Sequence, residues 1–296
     1  MSEGNDQVDN EDSQTSGSPG SPHTREHFGA RHERVEHFRA TGPVSVRIVT
    51  SSGDVVVRSD DVAEIEVLLH ASSDLADQML RDVVVTFDET AGVLEVRTNQ
   101  QRRHARSRGA TSLSRMVGTL MSMGHADVDV EVLVPLESSV RVETASGDTR
   151  LRGALSSVSH ASASGALTVT GRTSSLTAKS ASGDVSLETV VDSLTVASVS
   201  GGLRCRSIAE NSEVRTVSGD IDLTSGHGGR LKVRSVSGDI GVKVPHGLVI
   251  DVDATTASGT LSSAIPLGDD GRGTKDETLV FKAATVSGDV ALAYAP

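Results

Sequence analysis

Aromatic side chains are nearly missing from this sequence of 296 residues: Phe28, Phe38, Phe87, Phe281 and Tyr294, with no Trp. That excludes a sugar-binding cleft paved with rings and a nucleic-acid platform that stacks bases. A surplus of positive charge is missing too. The formal net charge of −12 argues against sequence-independent phosphate binding, which needs a basic surface, so no nucleic-acid partner is expected. One cysteine, Cys205, rules out an internal disulfide framework and a cysteine-based zinc site. It is read as a small core hydrophobe. No run approaches the roughly 18 consecutive apolar residues needed to span a bilayer. The first twenty residues, MSEGNDQVDNEDSQTSGSPG, lack the charged and apolar regions of a signal peptide. The expectation is a cytoplasmic protein in a reducing compartment. The apolar fraction of 36% suits a thin, elongated core.

What is present falls into three regions. Residues 1–34 form an acidic, His-rich tail expected to be disordered, because it cannot bury enough apolar surface to offset its ordering entropy. Its histidines, with His37 just beyond, are read as a polar lead-in and not a metal site. Residues 35–139 form an N-terminal β region. Val44, Val46 and Ile48 alternate with Ser45 and Arg47, and Ile65, Val67 and Leu69 and Val128, Val130, Val132 and Val134 repeat that period of two. DLADQMLRD (74–82) suits a short helix, and 82–98 reads as a hairpin around DETAG. Residues 140–296 carry repeats.

The repeat is the strongest signal. Ser-Gly pairs place glycines at Gly147, Gly165, Gly183, Gly201, Gly219, Gly238, Gly259 and Gly288, with spacings of 18, 18, 18, 18, 19, 21 and 29. An earlier copy is Ser52-Gly53-Asp54. Two residues before each Ser stands a hydroxyl, from Thr144 to Thr285. One before it stands a small apolar residue, from Ala145 to Val286. Small inward residues suit a narrow interior where two sheets meet. A fixed period of this size predicts an all-β, right-handed, single-stranded β-solenoid of about 18 residues per turn, with the N-terminal β region as a cap. The glycines are the structural turns, where a corner needs positive φ or close backbone stacking. Pro266 and GDDGRGTKDE (268–277) mark a loop excursion near the far end.

These columns resemble a bacterial family of unknown function, often labelled "putative adhesin", with related toast-rack repeats. The carrying residues are GPVSVRIVTSSGDVVV (42–57), VDVEVLVP (128–135), VRVETASGD (140–148) and the recurrent VSGDI and VSGDV. The resemblance covers about residues 35–296. It implies a right-handed solenoid of β-strand repeats and, for related members, a place near envelope-stress systems. It brings no catalytic residues.

Candidate sites follow from the columns. Asp148, Asp184, Asp220, Asp239 and Asp289 follow the Ser-Gly corner. They read as turn residues bonding nearby N–H groups, with only Asp220 and Asp239 on adjacent turns. His160 reads as a tolerated end-turn residue, since no nucleophile and orienting group are spaced around it. Residues 101–124 break the β pattern. Arg102, Arg103, Arg106 and Arg108 are a basic cluster, and Leu113, Met116, Val117, Leu120 and Met121 fall on one face of a helix. The segment is either a cover for the solenoid or a docking arm for a protein partner or an anionic membrane surface. No catalytic residue, metal ligand or cofactor is assigned. The expected function is a non-enzymatic scaffold or interaction module. A second reading is self-association through solenoid ends, and a third, less favoured, is a polysaccharide-acting β-helix enzyme.

Overall fold

Alternate residues are buried along most strands, and that parity decides where each side chain points. The computed structural model describes residues 33–71, 76–98, 128–265 and 278–295. Its strands are β1 (Glu33–Arg39), β2 (Ser45–Ser52), β3 (Val55–Asp60), β4 (Glu64–Ala71), β5 (Val84–Asp88), β6 (Val93–Arg97), β7 (Val128–Pro135), β8 (Ser138–Ser146), β9 (Thr149–Ser164) and β10 (Leu167–Ser182). They continue as β11 (Val185–Ser200), β12 (Leu203–Ser207), β13 (Asn211–Arg215), β14 (Ile221–Thr224), β15 (Gly229–Arg234), β16 (Ile240–Val244), β17 (Val249–Ser258), β18 (Leu261–Ser263), β19 (Thr278–Ser287) and β20 (Val290–Tyr294). The one described helix, α1 (Ala76–Asp82), lies within the segment read as helical. The chain is nearly all β, and its strands join in one open sheet.

Pairing separates into two ladders. In the first, β5 and β6 form the expected antiparallel hairpin, closed where Asp88 Oδ1 accepts from the N–H groups of Thr90 and Ala91. Parallel strands then stack in the order β6, β2, β8, β9, β10, β11, β13, β15, β19, β17. In the second, β1, β4 and β7 pair antiparallel, and β7, β3, β9, β10, β11, β12, β14, β16, β20 and β18 stack in parallel. β9 to β11 serve both ladders. Thr149 faces Leu167, and Leu167 faces Val185, each eighteen residues on. The core lies between the ladders, built from columns such as Leu151, Val169, Leu187, Cys205, Leu223, Val242 and Leu292.

Stacking order departs from chain order at both ends. β2 and β3 sit between β6 and β7 below and β8 and β9 above. β19 and β20 slot between β15 and β16 on one side and β17 and β18 on the other. At the upper end the chain makes the outermost rung first and then returns inside it, whereas at the lower end β2 and β3 precede the strands that lie beneath them.

At the lower end, the Arg34 guanidinium donates to the carbonyls of Leu80 (3.0 Å) and Val83 (2.8 Å), tying β1 to the last turn of α1. It satisfies carbonyls that the helix end leaves open. Because Arg34 also pairs with the buried Glu36 carboxylate, Arg34→Ala is expected to cost about 3–5 kcal/mol and lower Tm by about 10 °C. An unchanged melting curve would show that α1 is held by packing alone.

Candidate functional site

The most regular surface of the molecule is the edge built by the Ser-Gly-Asp corners. Its glycines stack directly. A Cβ on Gly219, whose φ is +130°, would lie 2.2 Å from the Gly201 carbonyl oxygen. The same overlap recurs from Gly53 and Gly147 up through Gly165, Gly183, Gly201, Gly238, Gly288 and Gly259. Only glycine lets backbones approach that closely at such a φ.

The aspartates beside the glycines are hydrogen-bonded to backbone. Asp129 Oδ1 accepts from Asp54 N–H (2.7 Å), Asp54 from Asp148 (3.0 Å), and Asp148 from Ala166 (3.0 Å). Farther up, Asp184 accepts from Gly202, Asp220 from Asp239, Asp239 from Asp289, and Asp289 from Thr260. Each carboxylate thus seals the rung above. Adjacent acids are more numerous than the sequence reading allowed: Asp129, Asp54 and Asp148 are neighbours, and so are Asp220, Asp239 and Asp289. The discrepancy comes from assuming that rungs stack in chain order. Arg150 offsets the lower group, with Nη1 2.6 Å from Asp54 and Nη2 3.2 Å from Asp148. The Asp54 carboxylate, through its hydrogen bond and its charge, holds that guanidinium above its ordinary value. Among the described residues no group of three or more His, Cys, Asp or Glu could hold a metal.

The small apolar column before the serine does not line the interior throughout. Val199, Val217, Val236 and Val286 are 42%, 48%, 48% and 54% exposed, whereas the hydroxyls of Thr216, Ser235 and Thr285 one residue earlier are buried. Parity explains it: Val214, Val233 and Ala283 point inward, so residues two farther on do too, and the valines that follow those face out. The valines occupy consecutive rungs, as the bridges Ser200–Ser218, Ser218–Ser237 and Ser237–Ser287 show. Two residues before the ridge, exposed Arg215 and Arg234 stand side by side. Beyond them, Glu213 pairs with Arg215 (2.7 Å) and Lys232 (3.5 Å). On its two middle rungs the apolar ridge therefore runs between Arg215 and Arg234 and, across the corner, the aspartates.

Groups capable of chemistry are scattered. Cys205 is buried, its Sγ 3.4 Å from the Ser207 carbonyl, and burial pushes the thiol up to about 12, so it is no nucleophile. His160 is buried in an interior rung, between Val142 and Ala178 in register, and not at an end turn. The expectation overlooked the rungs that β2, β3, β6 and β7 supply beneath it. A shallow groove by β1 and β4 is lined by His37, Arg39, Glu64 and Glu66 but by no serine or cysteine. Arg102, Arg103, Arg106, Arg108, Leu113, Met116, Val117, Leu120 and Met121, the docking residues read from the sequence, lie outside the described residues.

The Toastrack DUF4097 profile matches residues 76–294. A solved structure from Bacteroides fragilis, described as a "putative adhesin", is similar at 10% identity and a TM-score of 0.50, covering 89% of this chain and 98% of its own. Another, from Parabacteroides distasonis and described as a "putative lipid binding protein", is similar at 12% identity and a TM-score of 0.41, covering 88% and 96%. No curated protein is significantly similar.

Proposed function

The chain belongs to the Toastrack family, and from that premise we propose that it is a non-enzymatic interaction scaffold. It is a right-handed solenoid of about eighteen residues per turn that displays the valine ridge to a protein partner. The observation that carries this reading is the exposure of Val199, Val217, Val236 and Val286 on consecutive rungs. A folded chain seldom leaves β-branched residues aligned in water without a use for them. The flanking Arg215 and Arg234 suit a partner segment that pairs apolar with acidic residues. The adhesin label of the Bacteroides fragilis structure agrees with a role in contact and not in turnover.

A photo-crosslinking side chain placed at Val217 in the full chain is expected to trap a discrete product in native extract. The same group at exposed Thr168 should not. Unlabelled wild-type chain should compete, and a Val217→Asp/Val236→Asp chain should compete at least tenfold less well. Equal trapping at both positions, or equal competition, would remove the reading. Neither substitution touches the core, so each should alter stability by about 0.5 kcal/mol or less.

A second reading, self-association, is favoured by the open upper end. Among the described residues β17 and β18 each pair on one side only, and Leu261 is 50% exposed. Unpaired strand edges template further pairing. Sedimentation at several concentrations separates the readings, since a concentration-independent monomer excludes this one.

A further inference from the structure

The hydroxyl column behind the valine ridge is satisfied above and below but not in the middle. Thr50 Oγ1 donates to the Ser52 carbonyl (2.8 Å) and receives a bond from Thr98 Oγ1 (3.0 Å). Higher up, Ser198, Thr216, Ser235 and Thr285 each donate to the carbonyl two residues on. Between these groups lie Thr144, Ser162 and Ser180, in register on successive rungs. All three are at least 98% buried, and their hydroxyls have no protein partner.

Two further groups join them. His160 lies two residues before Ser162 on the same inward face, 2% exposed, with neither ring nitrogen bonded. Thr149 is fully buried just past the corner at Gly147, its hydroxyl also unpartnered. It interrupts a column whose neighbours are Val55 and Leu167. Together these five residues hold six buried side-chain nitrogen or oxygen atoms with no hydrogen-bond partner among the described residues.

Leaving these five groups dry would cost about 1–3 kcal/mol for each, a sum comparable with the whole net stability of a domain. Ser162, Ser180 and, in register with His160, Ala178 are smaller than the buried valines and leucines around them. Rungs about 4.8 Å apart set the hydroxyls at a spacing that single water molecules bridge.

We propose that Thr144, Thr149, His160, Ser162 and Ser180 bind a short internal file of ordered water between the two ladders. Hydroxyls and imidazole offer both donors and acceptors, which suits water, whereas no carboxylate is present to hold a cation. The file bridges the two layers over three rungs.

Oxygen-17 relaxation dispersion on the full chain counts long-lived internal water. Ser162→Ala keeps the small volume but removes a central partner and is expected to reduce the dispersion amplitude. Ser235→Ala, on a satisfied rung, should leave it unchanged. Thr149→Val, nearly isosteric, should reduce it as well and lower Tm, because the water loses a partner. The proposal is overturned if Ser162→Ala and Ser235→Ala give the same amplitude. It is also overturned if Thr149→Val leaves the amplitude intact and raises Tm, the signature of a dry cluster relieved of a stranded hydroxyl. If Ser162→Ala fails to fold, the amplitude in Thr149→Val decides.

Discussion

Gly219→Ala is expected to destabilise the chain by roughly 3–5 kcal/mol, lowering Tm by about 10 °C. The added methyl carbon would sit 2.2 Å from the Gly201 carbonyl oxygen, 2.7 Å from its carbonyl carbon and 3.2 Å from its nitrogen. All three are backbone atoms locked into pairing, so no side chain can swing aside. The φ of +130° adds a conformational penalty for any residue with a Cβ. Relief would require parting two rungs, and with them the Ser218 N–H bond to the Val199 carbonyl and the Leu203 N–H bond to the Asp220 carbonyl. Gly42→Ala provides the contrast, because nothing lies within 4 Å of a Cβ there. Chemical denaturation of both variants measures the difference. Similar midpoints would mean that the rungs yield more easily than their spacing implies.

Acid should weaken the fold through His160. Burial holds its imidazole neutral, with its pKa lowered to about 4 from 6.5 in an exposed setting. Its neighbours in register, Val142 and Ala178, carry no charge to favour the proton. The unfolded chain therefore binds a proton that the folded chain refuses. The contribution is complete above pH 6.5 and is lost as pH falls from 6.5 towards 4, about 3 kcal/mol at pH 4. His160→Val restores the residue type of Val142, Val196 and Val214 in the same column. Denaturation curves at pH 7 and pH 4.5 should show wild type losing over 2 kcal/mol more than the variant between those conditions. Carboxylates titrate in both chains and cancel in the comparison. Parallel losses would show that the imidazole protonates freely in the folded protein.

Much of the architecture was legible in residue parity. Alternation from Val44 to Val57, the DETAG hairpin and the Ser-Gly spacing translate directly into β2, β3, the β5–β6 pair and the glycine stack. The outward valines were legible too, had the period of two been carried through the corner from Val214 to Thr216 and thence to Val217. Stacking order was not. Corners reading VSGD are nearly interchangeable, so nothing local tells Asp289 that it will lie against Asp239 and not beside Thr260 alone. Long-range pairing is a choice among similar edges, decided by the whole ladder. The same blindness hid the rungs beneath His160. The unpartnered hydroxyls were beyond reach for another reason: Thr144 and Thr216 occupy equivalent columns, yet one bonds a carbonyl and the other does not.

Interleaved rungs also constrain how a ribosome can deliver this chain. Asp148 must emerge 94 residues after Asp54 before that corner is roofed, and Asp289 comes 50 residues after its lower neighbour Asp239. Assembly therefore cannot advance plank by plank with translation, and such distant closures slow folding. β20, released after β18, becomes an interior plank between β16 and β18. A premature stop ahead of β19 would not trim the tip; it would open a gap beneath β17 and β18 and leave them with nothing to rest on.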